Sequence, residues 1–272
     1  MLKSGGAFFG KSIDKRKGRE GLMSQVRRRY MIRLVCRCFT LAGVVALYFL
    51  DQAQFTVLRG WNFFRRLSLL HLLWGIWVLD MLSQLFPLRG CFALGSQKHF
   101  LSRFRPVAEA VNYPALKEHI VTTTRAAYKV FLLWGVLLAG LALLFFTHVL
   151  SDNSIFLTVV LFYVCDLVCV LIWCPFRLIM KNRCCTTCRI YNWDHLMMFS
   201  PFMLIPGAYT TSLLLMAFAV WLLWELCVML YPERFWEKSN LALTCAACTD
   251  KLCTQYCQKL RTRTGHGKEE HA

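Results

Sequence analysis

Acidic charge is what this sequence has least of. Fifteen Asp and Glu stand against 32 Lys and Arg, and charged residues make up only 17% of the 272. Soluble domains carry roughly a quarter charged residues, so an ordinary water-facing surface is hard to build from this chain. Also missing are a Gly-rich phosphate loop, HExxH, GxSxG and paired catalytic carboxylates in a soluble segment. Their absence removes the sequence basis for a nucleotide-driven pump or a hydrolase. The first 33 residues hold ten basic side chains and no apolar core before Leu34, so no secretory signal peptide is expected.

What the chain has instead is apolar length. Hydrophobic residues reach 57% and aromatics 14%, with a mean hydropathy of +0.45. Several runs approach the ~20 residues that cross a hydrocarbon core. The expected fold class is an all-α polytopic membrane protein of five or six helices, with the lipid bilayer as its first partner. Spans are expected at 34–50, 67–88, 130–150 and 155–173, the last two forming a helical hairpin. Arg37, near the start of the first, is expected to snorkel to the interface. Short surface helices are expected over 100–106 and 107–125, broken at Pro114. The 35 apolar residues of 196–230 are interrupted by Pro201, Pro206 and Gly207. They read either as a re-entrant piece followed by one span, or as two short spans that return the tail to its starting side; the return is preferred. The division is then a basic tail (1–33), a membrane domain with a Cys-rich loop (34–230, loop 174–195) and a Cys-rich C-terminal tail (231–272).

The formal charge of +17 gathers between the apolar runs. It reads as topology rather than nucleic-acid binding. The N-terminal tail, the 89–129 loop (seven basic, two acidic) and the 175–195 loop fall on one side under alternating spans. The turn Ser151, Asp152, Asn153, Ser154 has no basic residue and falls on the other. Arg59, Arg65 and Arg66 dissent. The N-terminus and the Cys-rich surface are therefore expected in the cytoplasm, in a cytoplasmic membrane.

Fourteen cysteines are present. Cys36, Cys38, Cys165, Cys169 and Cys227 lie in or beside apolar runs, where Cys is commonly a small buried hydrophobe. The others that matter form two groups: Cys174, Cys184, Cys185 and Cys188 in the loop, and Cys245, Cys248, Cys253 and Cys257 in the tail. Two thiolates three positions apart on a tight turn can face one ion, the spacing of zinc and iron–sulfur sites. Cys185, Cys188, Cys245 and Cys248 are the expected ligand set, with Cys174, Cys184, Cys253 and Cys257 candidates for a second. Zinc or an iron–sulfur cluster fits all-sulfur ligation. Thiol exchange and clustering without metal stay open. The functional expectation is a membrane metalloprotein with electron transfer to or from a membrane partner. The alternative is a structural or assembly factor, or a small transporter, whose tail zinc staples.

The run Trp173, Cys174, Pro175, Phe176 at a helix end resembles membrane polyferredoxin-type proteins, which implies cluster ligation by the cysteines around it. More broadly, CPF and NRCCTTCRIYNW followed by a Cys-rich tail resembles a group of uncharacterised Cys-rich bacterial membrane proteins. That resemblance implies a bacterial cytoplasmic membrane and no particular activity. A fainter likeness to palmitoyltransferases, through Cys188 and Asp194-His195, lacks a cysteine closely following the His.

Ionisable residues inside spans are costly and carry functional expectations of their own. Asp80 and Asp166 fall at similar depths and read as a proton or cation site if their helices are neighbours. Otherwise each sits at a helix contact, bonded to Ser, Thr, Tyr or Trp. Glu225, close after Trp221 and Trp224, reads as packing. His71 and His148 are either a haem-ligating pair or two interfacial side chains, and His195 is placed to complete a metal site.

Overall fold

In the computed structural model, which describes residues 25–86, 99–108, 110–182, 184–244 and 252, every regular element is a helix, joined by two isolated bridges. The helices are α1 (Gln25–Leu50), α2 (Asn62–Arg65), α3 (Leu70–Leu85), α4 (Tyr113–Phe146), α5 (Asp152–Leu171), α6 (Phe176–Met180), α7 (Asp194–Phe199) and α8 (Ala208–Leu230). Four of them, α1, α4, α5 and α8, are long and apolar enough to cross a membrane, and α3 is a shorter apolar helix.

Two boundaries differ from the sequence reading. Helix α1 begins at Gln25, so the basic run up to Arg33 forms its first turns. Pro114 does not break a helix but starts one. Asn112 accepts from the Ala115 N–H and Pro114 sits in the first turn, where its missing N–H costs nothing. From there α4 runs unbroken for 34 residues, about 50 Å at the α-helical rise.

Helix α5 buries one broad face. Its buried residues Ile155, Phe156, Val159, Val160, Tyr163, Val164, Leu167 and Leu171 lie on one half of the helix, Leu161 and Cys165 are exposed on the other, and it packs closely against α1. Helix α8 buries a single stripe, Tyr209, Leu213, Ala217, Val220, Trp224 and Val228, at the three-and-four spacing of one helix face. Between them lies an aromatic centre. Trp77 of α3 meets Phe199 at 5.1 Å and Phe156 at 5.9 Å between ring centroids, and Phe199 stacks on Phe202 at 5.9 Å.

The helices of the expected hairpin of 130–150 with 155–173 lie close over little of their length and touch through the Trp134 and Phe162 rings at 5.0 Å. Ser151 caps α5 by accepting from the Ser154 N–H, so the turn forms as read. Beyond it the stretch 194–204 packs against both helices: α7 against α5, and the 3-10 turn Ser200–Leu204 against α4 and α5. Trp134 of α4 donates to Ser200 Oγ at 2.9 Å, fixing that turn.

Gly207 locates the start of α8. The Gly60 N–H donates to Pro206 O at 3.1 Å and the Ala208 N–H to Gly60 O at 2.9 Å, so α8 begins at the end of the bundle that holds the α1–α3 connection. Arg59 at this end is paired with Asp152 of the basic-free turn through both carboxylate oxygens, which softens its dissent from the charge pattern. The opposite end gathers the 99–108 segment, the Cys-rich loop and residues 231–244. There the Leu241 N–H donates to Arg105 O at 2.8 Å and His99 stacks on Phe235. Helix α8 thus returns the chain to the end carrying the Cys-rich loop.

A Cβ on Gly207 would lie 1.9 Å from Leu58 O, a backbone atom that cannot swing aside, whereas one on Gly43 meets nothing within 4 Å. Gly207→Ala is expected to lower the thermal unfolding midpoint in detergent clearly, and Gly43→Ala to leave it within experimental scatter.

Candidate functional site

Arg37 does not snorkel. Its side chain is 8% exposed and points into the bundle, joining the two carboxylates that the sequence marked separately. Nη1 donates to Asp166 Oδ2 at 2.7 Å and to Tyr163 O at 2.6 Å, Nη2 donates to Asp80 Oδ2 at 3.1 Å, and the guanidinium lies 3.8 Å over the Tyr163 ring. Asp80 and Asp166 are therefore neither bonded to hydroxyls nor open to an outside cation. The cation between them is the chain's own, since a buried charge persists only when paired and hydrogen-bonded.

The cluster continues into α7. His195 Nε2 lies 3.6 Å from Asp80 Oδ2, and its Nδ1 lies 3.2 Å from Asp194 Oδ1. Gln84 donates to Asp194 Oδ2 at 3.1 Å. Neither histidine contact has hydrogen-bond alignment, and both ring nitrogens, Asp194 Oδ1 and Gln84 Oε1 are buried without a hydrogen bond. Arg37 faces two of the three carboxylates, Asp80 and Asp166, Arg33 adds a second positive charge toward Asp80, and His195 lies between Asp80 and the third, Asp194.

Beside this cluster lies a cavity of about 250 Å³ walled by sulfur. Six cysteines (Cys165, Cys169, Cys174, Cys184, Cys185 and Cys188) and the paired Met197 and Met198 line it. Trp134, Phe162 and Phe176 complete the apolar wall, and Asp166 and Asp194 reach it from the charged cluster. Cys174, just beyond the end of α5, lines this cavity together with Cys169 and Cys185, and the Cys185 thiol donates to Cys169 O at 3.5 Å. The neighbouring Cys169 and Cys185 thiols and the backbone N–H groups of Phe176 and Arg177 favour its thiolate and lower it to about 3. The thiol of Cys185 is pushed up by its Cys174 neighbour and by burial. Burial pushes Cys188 up to about 11.

The structure thus gathers Cys174, Cys184, Cys185 and Cys188 around one cavity and adds Cys169, which reads from sequence as a buried hydrophobe. Its signal was its place five residues before Cys174, near the end of the same apolar run. Cys245, Cys248, Cys253 and Cys257 lie outside the described residues. Among the described residues, no three His, Cys, Asp or Glu side chains are grouped so as to hold a metal ion. His195 faces Asp80 and Asp194, and the cavity lining does not include it.

Glu225 does more than pack. It takes both arms of Arg189 and the Trp193 Nε1–H at 2.8 Å, while Trp224 Nε1 donates to Arg189 O at 2.8 Å. This bolts the Cys-rich loop to α8. His71 has both ring nitrogens against backbone groups of Ser68 and Phe63 and stacks on the Phe63 ring. His148, with φ +60°, borders a separate pocket with Arg59 and Asp152. No haem pair is assembled from them. Cys36 and Cys38 are exposed on α1.

No family model, curated protein or solved structure matches this chain.

Removing one member of a buried ion pair costs about 3–5 kcal/mol, because the partner charge is stranded. Arg37→Met is expected to lower the unfolding midpoint strongly, and the triple variant Arg37→Met, Asp80→Asn, Asp166→Asn to recover most of the loss. The two loop thiols should also differ in kinetics. Because only thiolate is alkylated, Cys174 should react with iodoacetamide at a rate nearly flat from about pH 5 to about pH 9. Cys188 should gain about tenfold per pH unit over that range. Residue-resolved mass spectrometry reads both.

Proposed function

We propose that this protein is a membrane thiol-redox device, in which Cys174 exchanges between a thiolate and a disulfide with Cys185 and so passes electrons at the membrane. The observation that carries this reading is the meeting of Cys169, Cys174 and Cys185 at the wall of one cavity, with the Cys185 thiol donating to Cys169 O at 3.5 Å. A nucleophilic thiolate with a partner thiol in reach is what disulfide exchange requires. It keeps the electron-transfer role expected from sequence and uses the described cysteines alone.

Six crossings fit the helix directions: α1, α3, α4, α5, the broken stretch 191–204 and α8. The charge pattern then puts the Cys-rich loop, the N-terminus and the tail in the cytoplasm. There a disulfide is more often transient and catalytic than structural, which suits exchange.

A second reading has one observation in its favour. Leu252, between Cys248 and Cys253 in sequence, is buried in a cluster with Tyr30, Leu167 and Leu171, at the cavity end of α5. In this reading Cys245, Cys248, Cys253 and Cys257 would join Cys174 and Cys185 around zinc or an iron–sulfur cluster.

Anaerobically purified protein decides between them. The redox reading expects substoichiometric zinc and iron, loss of two free thiols on treatment with diamide, and a Cys174–Cys185 linked peptide that is missing in Cys174→Ser. Stoichiometric metal that blocks diamide oxidation and falls in Cys174→Ser would replace it with the metal reading.

A further inference from the structure

The geometry points to a quinone-class, membrane-soluble two-electron acceptor as the occupant of the thiol cavity, with the Asp194–His195 pair supplying a proton to it. This rests on the thiol-redox reading and names the oxidant that reading leaves open. Three features of the cavity narrow the choice. The first is its surface: aromatic and thioether walls (Trp134, Phe162, Phe176, Met197) with sulfur, and few polar groups, Asp166, Arg177, Asn182 and Asp194, among them. A charged oxidant or a hydrated peptide would lose its water against such walls. At about 250 Å³ it lies just under the ~300–1,000 Å³ of ordinary ligand pockets, room for one ring-sized headgroup.

The second is its position. Cys165, Cys169 and Val170 belong to α5 and Trp134 to α4, both helices apolar enough to lie in lipid, and Cys165 and the nearby Ile172 and Trp173 are exposed on the bundle surface. A lipid-dissolved ring therefore meets the thiols from the side of the bundle. The third is the charged edge. Asp194 lines the cavity, and behind it His195 bridges to Asp80 with neither ring nitrogen hydrogen-bonded and a side chain 3% exposed. A buried imidazole without fixed partners, held between two carboxylates, can take up and release a proton with little rearrangement.

The step balances as follows. An S–S bond forms between Cys174 and Cys185 as the Cys185 S–H bond breaks, and the two electrons released reduce the quinone. Of the two protons the quinol needs, one comes from the Cys185 thiol and one from His195 by way of Asp194. His195 is then reprotonated from the cytoplasmic end.

The test uses fully reduced, full-length protein in detergent under anaerobic conditions. The probe is a tetrasubstituted 1,4-benzoquinone with a short isoprenyl tail, whose ring has no free carbon to alkylate. About one quinol per protein is expected in a single turnover, together with the Cys174–Cys185 linked peptide in the unaltered protein. Cys36→Ser/Cys38→Ser, which removes the outward thiols of α1, should keep the full yield. His195→Gln should slow the reaction at least tenfold and flatten its pH dependence while leaving the diamide-induced disulfide intact. If diamide forms the disulfide but the quinone yields no quinol, the acceptor assignment falls and the thiol-redox reading stands. If neither oxidant links Cys174 to Cys185, both fall. A full quinol rate in His195→Gln with an unchanged pH profile removes the proton role.

Discussion

The buried guanidinium of Arg37 holds the architecture together. Lipid is as apolar as leucine, so helices in a membrane gain little from apolar contact alone and depend on packing and polar pairing for register. One side chain of α1 meets a carboxylate from α3, a carboxylate from α5 and a main-chain carbonyl of α5. Three helices are thereby fixed at one depth, since sliding any of them by a turn would strand a charge in a medium that cannot solvate it. The Tyr163 ring closes the remaining face of the guanidinium, so its delocalised charge is balanced both in plane and above it.

The position of α7 follows from that joint. Asp194 and His195 complete the cluster from the far side, and the chain beyond them descends as a short α-helix and a 3-10 turn rather than as one regular span. Irregular backbone is tolerated in an apolar bundle only where protein buries it or a cavity adjoins it. Both conditions hold here. Ser200 donates to Met197 O and Thr210 to Ile205 O, and Trp134 closes on Ser200. On the loop side the broken stretch opens onto the sulfur-lined cavity. Packing 191–204 against both α4 and α5 also separates two helices whose four-residue connection would otherwise let them zip together. Charge pairing and cavity are thus one construction: Asp166 and Asp194 belong to both.

Much of the chemistry was visible in the sequence as a list of unusual residues. Asp80, Asp166, Glu225 and the loop cysteines stand out because carboxylates and clustered thiols are rare in so apolar a chain. Their partners did not stand out. Arg37 looked like a basic residue reaching for the interface, because position along a helix says nothing about which face meets the core. Arg189 was one of many loop cations until α8 was set beside it with Glu225. Cys169 looked like filler in an apolar run; only the bend after α5 brings Cys174 back to its thiol. Pro114 was read as a breaker although Asn112, two residues earlier, already carried the cap.

The class of the molecule is legible along the chain: the length and apolarity of its runs call for helices in a bilayer. So is the gathering of thiols after the helix ending near Leu171. Tertiary structure alone decided which of those thiols meet, that the α4–α5 pair is separated by a broken stretch, and that two isolated aspartates share one arginine. The physical reason is that hydropathy and spacing act along the chain. Charge pairing in a low-dielectric interior acts across it, between residues such as Arg37 and Asp166 that lie 129 positions apart.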